Sequence, residues 1–231
     1  NAVVEKCKEL IPGNPGFNLA KAAGEVCEAV AKSIIEDDWE SVNFSEFQLD
    51  STLKIITSRY GPDNGYNAQV LTAGVGSGKT IGFSIATLIE ARKTMLDGMR
   101  NQDRKSTSLF VYPRTQLAFD QFEELESFTN FMPCDLPIWL EMSKSHSPDG
   151  VARGVQNKYG SHATPFGIIV TTFETLKRRM RRPEFMQKMS KHLTTIVVDE
   201  VHLLSGISGG MSAQLLSRLA QAVYDNRRDI H

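Results

Sequence analysis

The sequence predicts an α/β fold, a mostly parallel sheet with helices on both faces. Short apolar runs rich in β-branched residues fall at 70–72, 109–112, 168–171 and 195–198, and stretches of helical periodicity separate them. That alternation marks strands buried on both faces and joined by crossover helices. The most polar and glycine-rich residues follow directly after these runs, and open parallel sheets collect their ligands at the carboxyl ends of the strands. With 231 residues, 41% of them hydrophobic, such a domain buries about 70% of the surface its unfolded chain exposes.

Each element has its own warrant. Pro12, Gly13, Asn14, Pro15 and Gly16 form a turn cluster that predicts an irregular N-terminus over 1–18. Ala22, Val26, Ala29, Val30 and Ile34 recur at helical spacing, predicting an amphipathic helix over 19–35. A second helix is expected over 46–58, closed by Gly61-Pro62 and a polar loop to 67. Residues 70–72 form a short strand running into a glycine-rich turn, and 80–96 read as the next helix. A polar loop at 101–108 precedes a strand over 109–112 and a helix over 115–128. Residues 138–142 form a further strand, and 143–165 are Gly-, Ser- and Asn-rich, with Asp149-Gly150 as a tight turn. Strands at 168–171 and 195–198 and a helix over 211–223 complete the pattern.

Composition narrows the function classes. The net charge is -1, which excludes a strongly basic nucleic-acid-coating protein but leaves room for a local basic track. Cys7, Cys27 and Cys134 are odd in number and widely spaced, against both a disulfide framework and a paired-cysteine zinc site. No run approaches the roughly 18 apolar residues of a membrane span, so no membrane partner is expected. The expected compartment is the cytoplasm, or the nucleus in a eukaryote. The chain opens on Asn1 rather than Met, which points to further sequence upstream.

Residues 72–80 read Thr-Ala-Gly-Val-Gly-Ser-Gly-Lys-Thr. Gly74, Gly76, Ser77 and Gly78 let backbone N–H groups curl around phosphate oxygens, and the following helix presents its N-terminus to the same charge. Lys79 supplies a cation for the β- and γ-phosphates of ATP, and Thr80 a hydroxyl for Mg²⁺. Residues 196–202 read Ile-Val-Val-Asp-Glu-Val-His. Two carboxylates ending a buried strand need partners. Asp199 fits a second Mg²⁺ anchor, and Glu200 fits the group that orients and deprotonates an attacking water. His202 reads equally as a core or a capping histidine.

Together these segments resemble motifs I and II of superfamily 2 helicases in their DExH-box form, which carry Ala where this chain has Ala73. Between them, Pro113-Arg114-Thr115-Gln116-Leu117-Ala118 with Gln121 resembles motif Ia, with Arg and Thr exchanged relative to the commonest version. Residues 171–176, Thr-Thr-Phe-Glu-Thr-Leu, resemble a later Thr-Thr-Pro-Glu motif, with Phe173 in place of Pro. The resemblance covers about residues 44–220 and implies a RecA-like P-loop NTPase domain. It implies nucleic-acid backbone contacts from Pro113, Arg114, Gln121, Thr171 and Thr172. Gln48 is similar to the glutamine that reads adenine in the superfamily, and reads equally as a surface helix residue. The glycine-rich run 203–210 is similar to YprA-type bacterial DNA helicases, their RecQ-related eukaryotic counterparts and the DISARM phage-defence helicase. The implied organisation is an N-terminal helical extension over 1–40 and a first motor domain over 41–231. The second RecA-like domain, which supplies arginines to the transferring phosphate, lies outside this chain.

Residues 177–191 add a charge argument. Lys177, Arg178, Arg179, Arg181, Arg182, Lys188 and Lys191 face one acid, Glu184. A run of this kind is either a solvated helix face or a phosphate-binding patch, and its position directly after Thr172 favours the patch. Phe173 and Phe185 read as core or as stacking groups. No base-reading helix is visible, so sequence-independent binding is expected, to DNA first and RNA second. The leading reading is the ATP-binding motor domain of a DNA helicase, weakly active when isolated. The alternatives are a double-stranded DNA translocase of a restriction or defence system, an RNA helicase, and a non-catalytic nucleotide-dependent binding module.

Overall fold

The structure, a computed structural model, describes residues 2–11, 14–61, 68–72, 78–98, 106–142, 167–203 and 206–228. Gly74, Gly76 and Ser77, and the expected loops 62–67, 101–105 and 143–165, lie outside the described residues. The chain divides into two compact units: residues 1–104 with 125–136, and residues 105–124 with 137–231.

The first unit is helical. Helices α1 (Ala2–Leu10), α2 (Asn14–Ile34), α3 (Glu46–Tyr60) and α4 (Lys79–Gly98) pack together, and a single 3₁₀ turn spans Trp39–Ser41. The expected irregular N-terminus is instead α1, because Val3 and Cys7 lie one helical turn apart and both are buried. Burial pushes the Cys7 thiol up to about 12, which keeps it protonated. Along α2, Leu19, Ala22, Ala23, Val26 and Val30 are fully buried in one stripe. That stripe packs on α4, where an Arg92 Nε–Glu25 Oε2 ion pair at 2.6 Å and an Asn18 Nδ2–Asp97 Oδ1 hydrogen bond at 2.8 Å fix the register.

Helix α3 starts at a capping box. Ser45 Oγ accepts from Gln48 N while Gln48 Oε1 accepts from Ser45 N, so each side chain satisfies an otherwise orphaned amide. Where α3 crosses α4, Thr52 Oγ1 donates to the Gly82 carbonyl at 2.9 Å. A Cβ on Gly82 would sit 2.2 Å from Ser51 Oγ, so the crossing distance depends on the missing side chain. The expected strand at 70–72 pairs with no strand among the described residues, and Val70 is 84% exposed. β-propensity alone does not make a strand without a neighbour to accept its hydrogen bonds.

The second unit holds a four-stranded, all-parallel sheet among the described residues. Its strands are β1 (Thr107–Tyr112), β2 (Ile138–Glu141), β3 (Gly167–Thr172) and β4 (Leu193–Val198), in the order β2-β3-β1-β4. The first part of α5 (Thr115–Asn130) belongs here, as do α6 (Phe173–Arg179), α7 (Pro183–His192) and α8 (Gly206–Arg228). β1 and β3 are buried at every residue, as expected for central parallel strands. On one face, Leu109, Val111 and Ile169 form a core with Leu176 and Met180, Phe185 and Met189, and Leu219 and Val223. These are residue pairs four apart on α6 with its C-cap Met180, on α7 and on α8, so each helix turns one stripe to the sheet. Burying a side chain of this size contributes about 1.5–3 kcal/mol. The predicted α/β class is what the sheet and helices form, and the resulting sheet positions every functional segment of the unit.

Candidate functional site

Parallel strands end at a common edge, which is where the second unit gathers its polar residues. β1 delivers Pro113 and Arg114, β3 delivers Phe173 and Glu174, and β4 delivers Asp199 and Glu200. Tyr112 pairs in register with Thr172, and Val111 with Val198, so Asp199 falls one residue beyond β4 alongside Tyr112. Burial raises the Tyr112 phenol, and the charges of Asp199 and then Glu124 raise it further. It stays a neutral donor, and its hydroxyl donates to Gln121 Oε1 at 3.4 Å. Gln121 Nε2 in turn donates to Glu124 Oε2 at 3.0 Å. The Gln121 amide is thus bonded at both ends inside the unit.

The acidic pair is held by a tight turn. Asp199 Oδ1 accepts from Glu200 N at 2.8 Å, and the Glu200 carbonyl accepts from Leu203 N at 2.9 Å, closing a 3₁₀ turn over Val201–Leu203. Glu200 has φ 52°, in the left-handed region, at roughly 1–2 kcal/mol of backbone strain. Its Oε2 lies 3.1 Å from His202 Nδ1, whose side chain is 72% exposed. Of the two sequence readings of His202, core or cap, neither applies; it is an exposed partner of Glu200, and such exposed pairs contribute about 1 kcal/mol at most.

In the first unit, Lys79 and Thr80 open α4 and are half-buried. Gly78 precedes them with φ 73°, and a Cβ there would meet Gln48 Nε2 at 2.2 Å. A left-handed glycine packed against an amide, a helix N-terminus and a lysine beside it fit a phosphate group. Gln48 does reach the end of the glycine-rich segment. Its Oε1, however, is already the acceptor in the α3 capping box, a double duty signalled in the sequence by Ser45-x-x-Gln48.

The expected backbone-contact residues divide by orientation. Thr171 is 2% exposed, and its hydroxyl donates to the Glu141 carbonyl on β2 at 2.8 Å. Thr172 is buried and caps α6, accepting from Thr175 N at 3.3 Å. Arg114, Lys177 and Arg178 are exposed. Arg179 leaves the basic run altogether. It forms an ion pair with Glu141, and its guanidinium lies 5.4 Å from the centre of the Phe185 ring.

Arg114 and Lys177 also flank a cavity of about 420 Å³. Phe173, Leu203 and Met211 give it apolar walls, Ser212 and Leu215 on α8 close it further, and Glu174 adds a carboxylate. Glu174 and Leu203 fall within segments that the sequence singles out and Met211 at the start of an expected helix, but nothing in their order shows that they line one cavity.

A glycine-lysine-threonine start to a helix in the first unit and an Asp-Glu pair on the carboxyl edge of a parallel sheet in the second are each features of phosphate-loop nucleotide-binding proteins. The family model for the DEAD/DEAH box helicase matches residues 54–229, more than half of the chain, and the chain belongs to that family. Its members use ATP, typically with Mg²⁺, to drive a helicase motor on nucleic acid. No curated protein and no solved structure matches the chain. Among the described residues no helix is long and apolar enough to cross a membrane.

Proposed function

We propose that this chain is the first motor domain of an ATP-dependent DNA helicase of the DExH-box superfamily 2 type, of the YprA, RecQ-related and DISARM kind. The observation that carries the reading is the common rim. Arg114, the Phe173–Lys177 segment and the Asp199-Glu200 pair meet at the carboxyl edge of one parallel sheet, so a strand gripped there sits beside the hydrolytic carboxylates. Residues 41–231 form the motor domain in this reading, and 1–40 a helical extension.

Gly74, Gly76, Ser77, Gly78 and Lys79 hold the ATP phosphates, and Gln48 buttresses Gly78 beside the adenine. By motif order Thr80 and Asp199 would hold Mg²⁺, which would draw charge from the phosphate oxygens when bound. Glu200 takes the proton of the attacking water. Pro113, Arg114, Lys177 and Arg178 meet the sugar-phosphate backbone without reading bases, while Gln121, Thr171 and Thr172 shape that surface from behind. A second RecA-like domain completes the transferring-phosphate site, and the protein works in the cytoplasm or, in a eukaryote, the nucleus.

The test is ATP turnover by the intact parent protein with no nucleic acid, single-stranded DNA, duplex DNA or RNA, beside Glu200→Gln. DNA stimulation that disappears in the variant is the expected result. Preference for RNA would overturn the DNA assignment. Duplex stimulation without strand separation would favour a translocase. Turnover unaffected by Glu200→Gln would leave a nucleotide-dependent binding module.

A further inference from the structure

The cavity beside Arg114 and Lys177 has the wrong walls for a phosphate. Phe173, Leu203, Met211 and Leu215 are apolar, and Leu203 and Met211 are 39% and 47% exposed. A phosphate gains nothing from such surface, whereas the flat face of a base loses water against it. The two cations are exposed and line the same cavity, so a backbone can be held on its rim while one of its bases points inward. At about 420 Å³ the space lies within the roughly 300–1,000 Å³ typical of small-ligand pockets, enough for one base with its sugar.

We infer that this cavity receives one unstacked base of a single strand, with Phe173 as stacking face, Leu203 and Met211 as clamps, and Arg114 and Lys177 on the adjoining phosphates. The inference rests on the nucleic-acid reading of the rim and narrows it: the ligand is single-stranded, because a paired and stacked base cannot enter without leaving its duplex. It also gives Phe173 a job that a proline in the same position cannot do, since proline lacks the aromatic face. Stacking on Phe173 accepts any base face, so recognition depends on a base being present, while Glu174 and Ser212 in the lining can bias it through the base edge.

The experiment compares binding of this chain to oligothymidylate of about twelve nucleotides with binding to an abasic oligomer of the same length and charge. Base stacking on one aromatic face is expected to favour oligothymidylate by about five- to a hundred-fold. Met211→Gln and Leu203→Asn alter exposed positions that the fold does not need, and each should reduce that ratio toward one while leaving abasic affinity unchanged. Arg114→Ala and Lys177→Ala should weaken both oligomers alike and flatten the salt dependence. Equal affinity of the wild-type chain for the two oligomers would overturn the base pocket and leave a backbone track. A ratio that survives both clamp variants would overturn it as well. Failure to bind either oligomer at low salt would overturn the nucleic-acid reading beneath it, and capture of an apolar peptide by this cavity in that case would assign it to a protein partner.

Discussion

Replacing Glu141 separates its charge from its hydrogen-bonding capacity, because glutamine keeps an acceptor and alanine removes both. Glu141 ends β2, and its side chain is 12% exposed; its partner Arg179, on α6, is 15% exposed. Glu141→Ala leaves the largely buried Arg179 guanidinium beside the Phe185 ring without its carboxylate. Breaking a buried pair costs about 3–5 kcal/mol, and the remaining contact with water places this site near 3. For a chain of this length that corresponds to a fall in Tm of about 6–12 °C. Glu141→Gln should cost no more than about 1 kcal/mol. Burial raises the Glu141 carboxyl although Arg179, Arg178 and Arg182 all pull it down, so ionising it costs more in the folded chain than in the unfolded one. A folded pKa above the unfolded one means that the folded state holds the proton more tightly. The resulting stability is fully present below the unfolded value of about 4.3 and is lost as pH rises through the raised folded value. The stability difference between wild type and Glu141→Gln, measured by urea denaturation across that window, should therefore shrink with rising pH. Equal losses for the two variants, or a difference that grows with pH, would refute this reasoning.

Three further perturbations probe other parts of the fold. Glu25→Ala strands Arg92, whose side chain is 5% exposed, whereas Arg92→Met leaves a 19%-exposed Glu25 near Lys21; denaturation should show Glu25→Ala as the costlier by about 1–2 kcal/mol, with the double variant milder than Glu25→Ala alone. Gly78→Ala forces a side chain into φ 73° against Gln48; affinity for a fluorescent ATP analogue should drop about tenfold or more, and adding Gln48→Ala should restore part of it. Thr172→Ala removes the α6 cap and should lower stability by about 1 kcal/mol, while Thr172→Ser, which keeps the hydroxyl, should stay within a few tenths in the same melt.

The sheet was legible because its strands are uninterrupted apolar runs. Ile138–Glu141, Gly167–Thr172 and Leu193–Val198 fall within two residues of the expected ends. The run at 70–72 has the same composition without the same pairing, since a strand is defined by its neighbour. Helices α6 and α7 were hidden by their charge: the cations of 177–191 obscure Leu176, Met180, Phe185 and Met189, which carry the helical period. For the site, motif order places residues at the carboxyl edge but says nothing of where a hydroxyl goes. Thr171 looks available in sequence, and its acceptor, the Glu141 carbonyl, lies 30 residues away on another strand. Gln121 is likewise occupied, by Glu124 one turn along α5 and by Tyr112 on β1, and the second partner is visible only in the folded chain.

Glu200 has a further consequence for how this chain responds to selection. Its left-handed backbone suits glycine or asparagine better than glutamate, so the carboxylate occupies a position that folding alone would assign to another residue. A library screened only for heat resistance should drift to Gly or Asn at 200, and a library screened for ATP turnover should keep Glu. The two screens pull in opposite directions at a single codon, and a thermostable descendant of this protein is at risk of becoming inert there first.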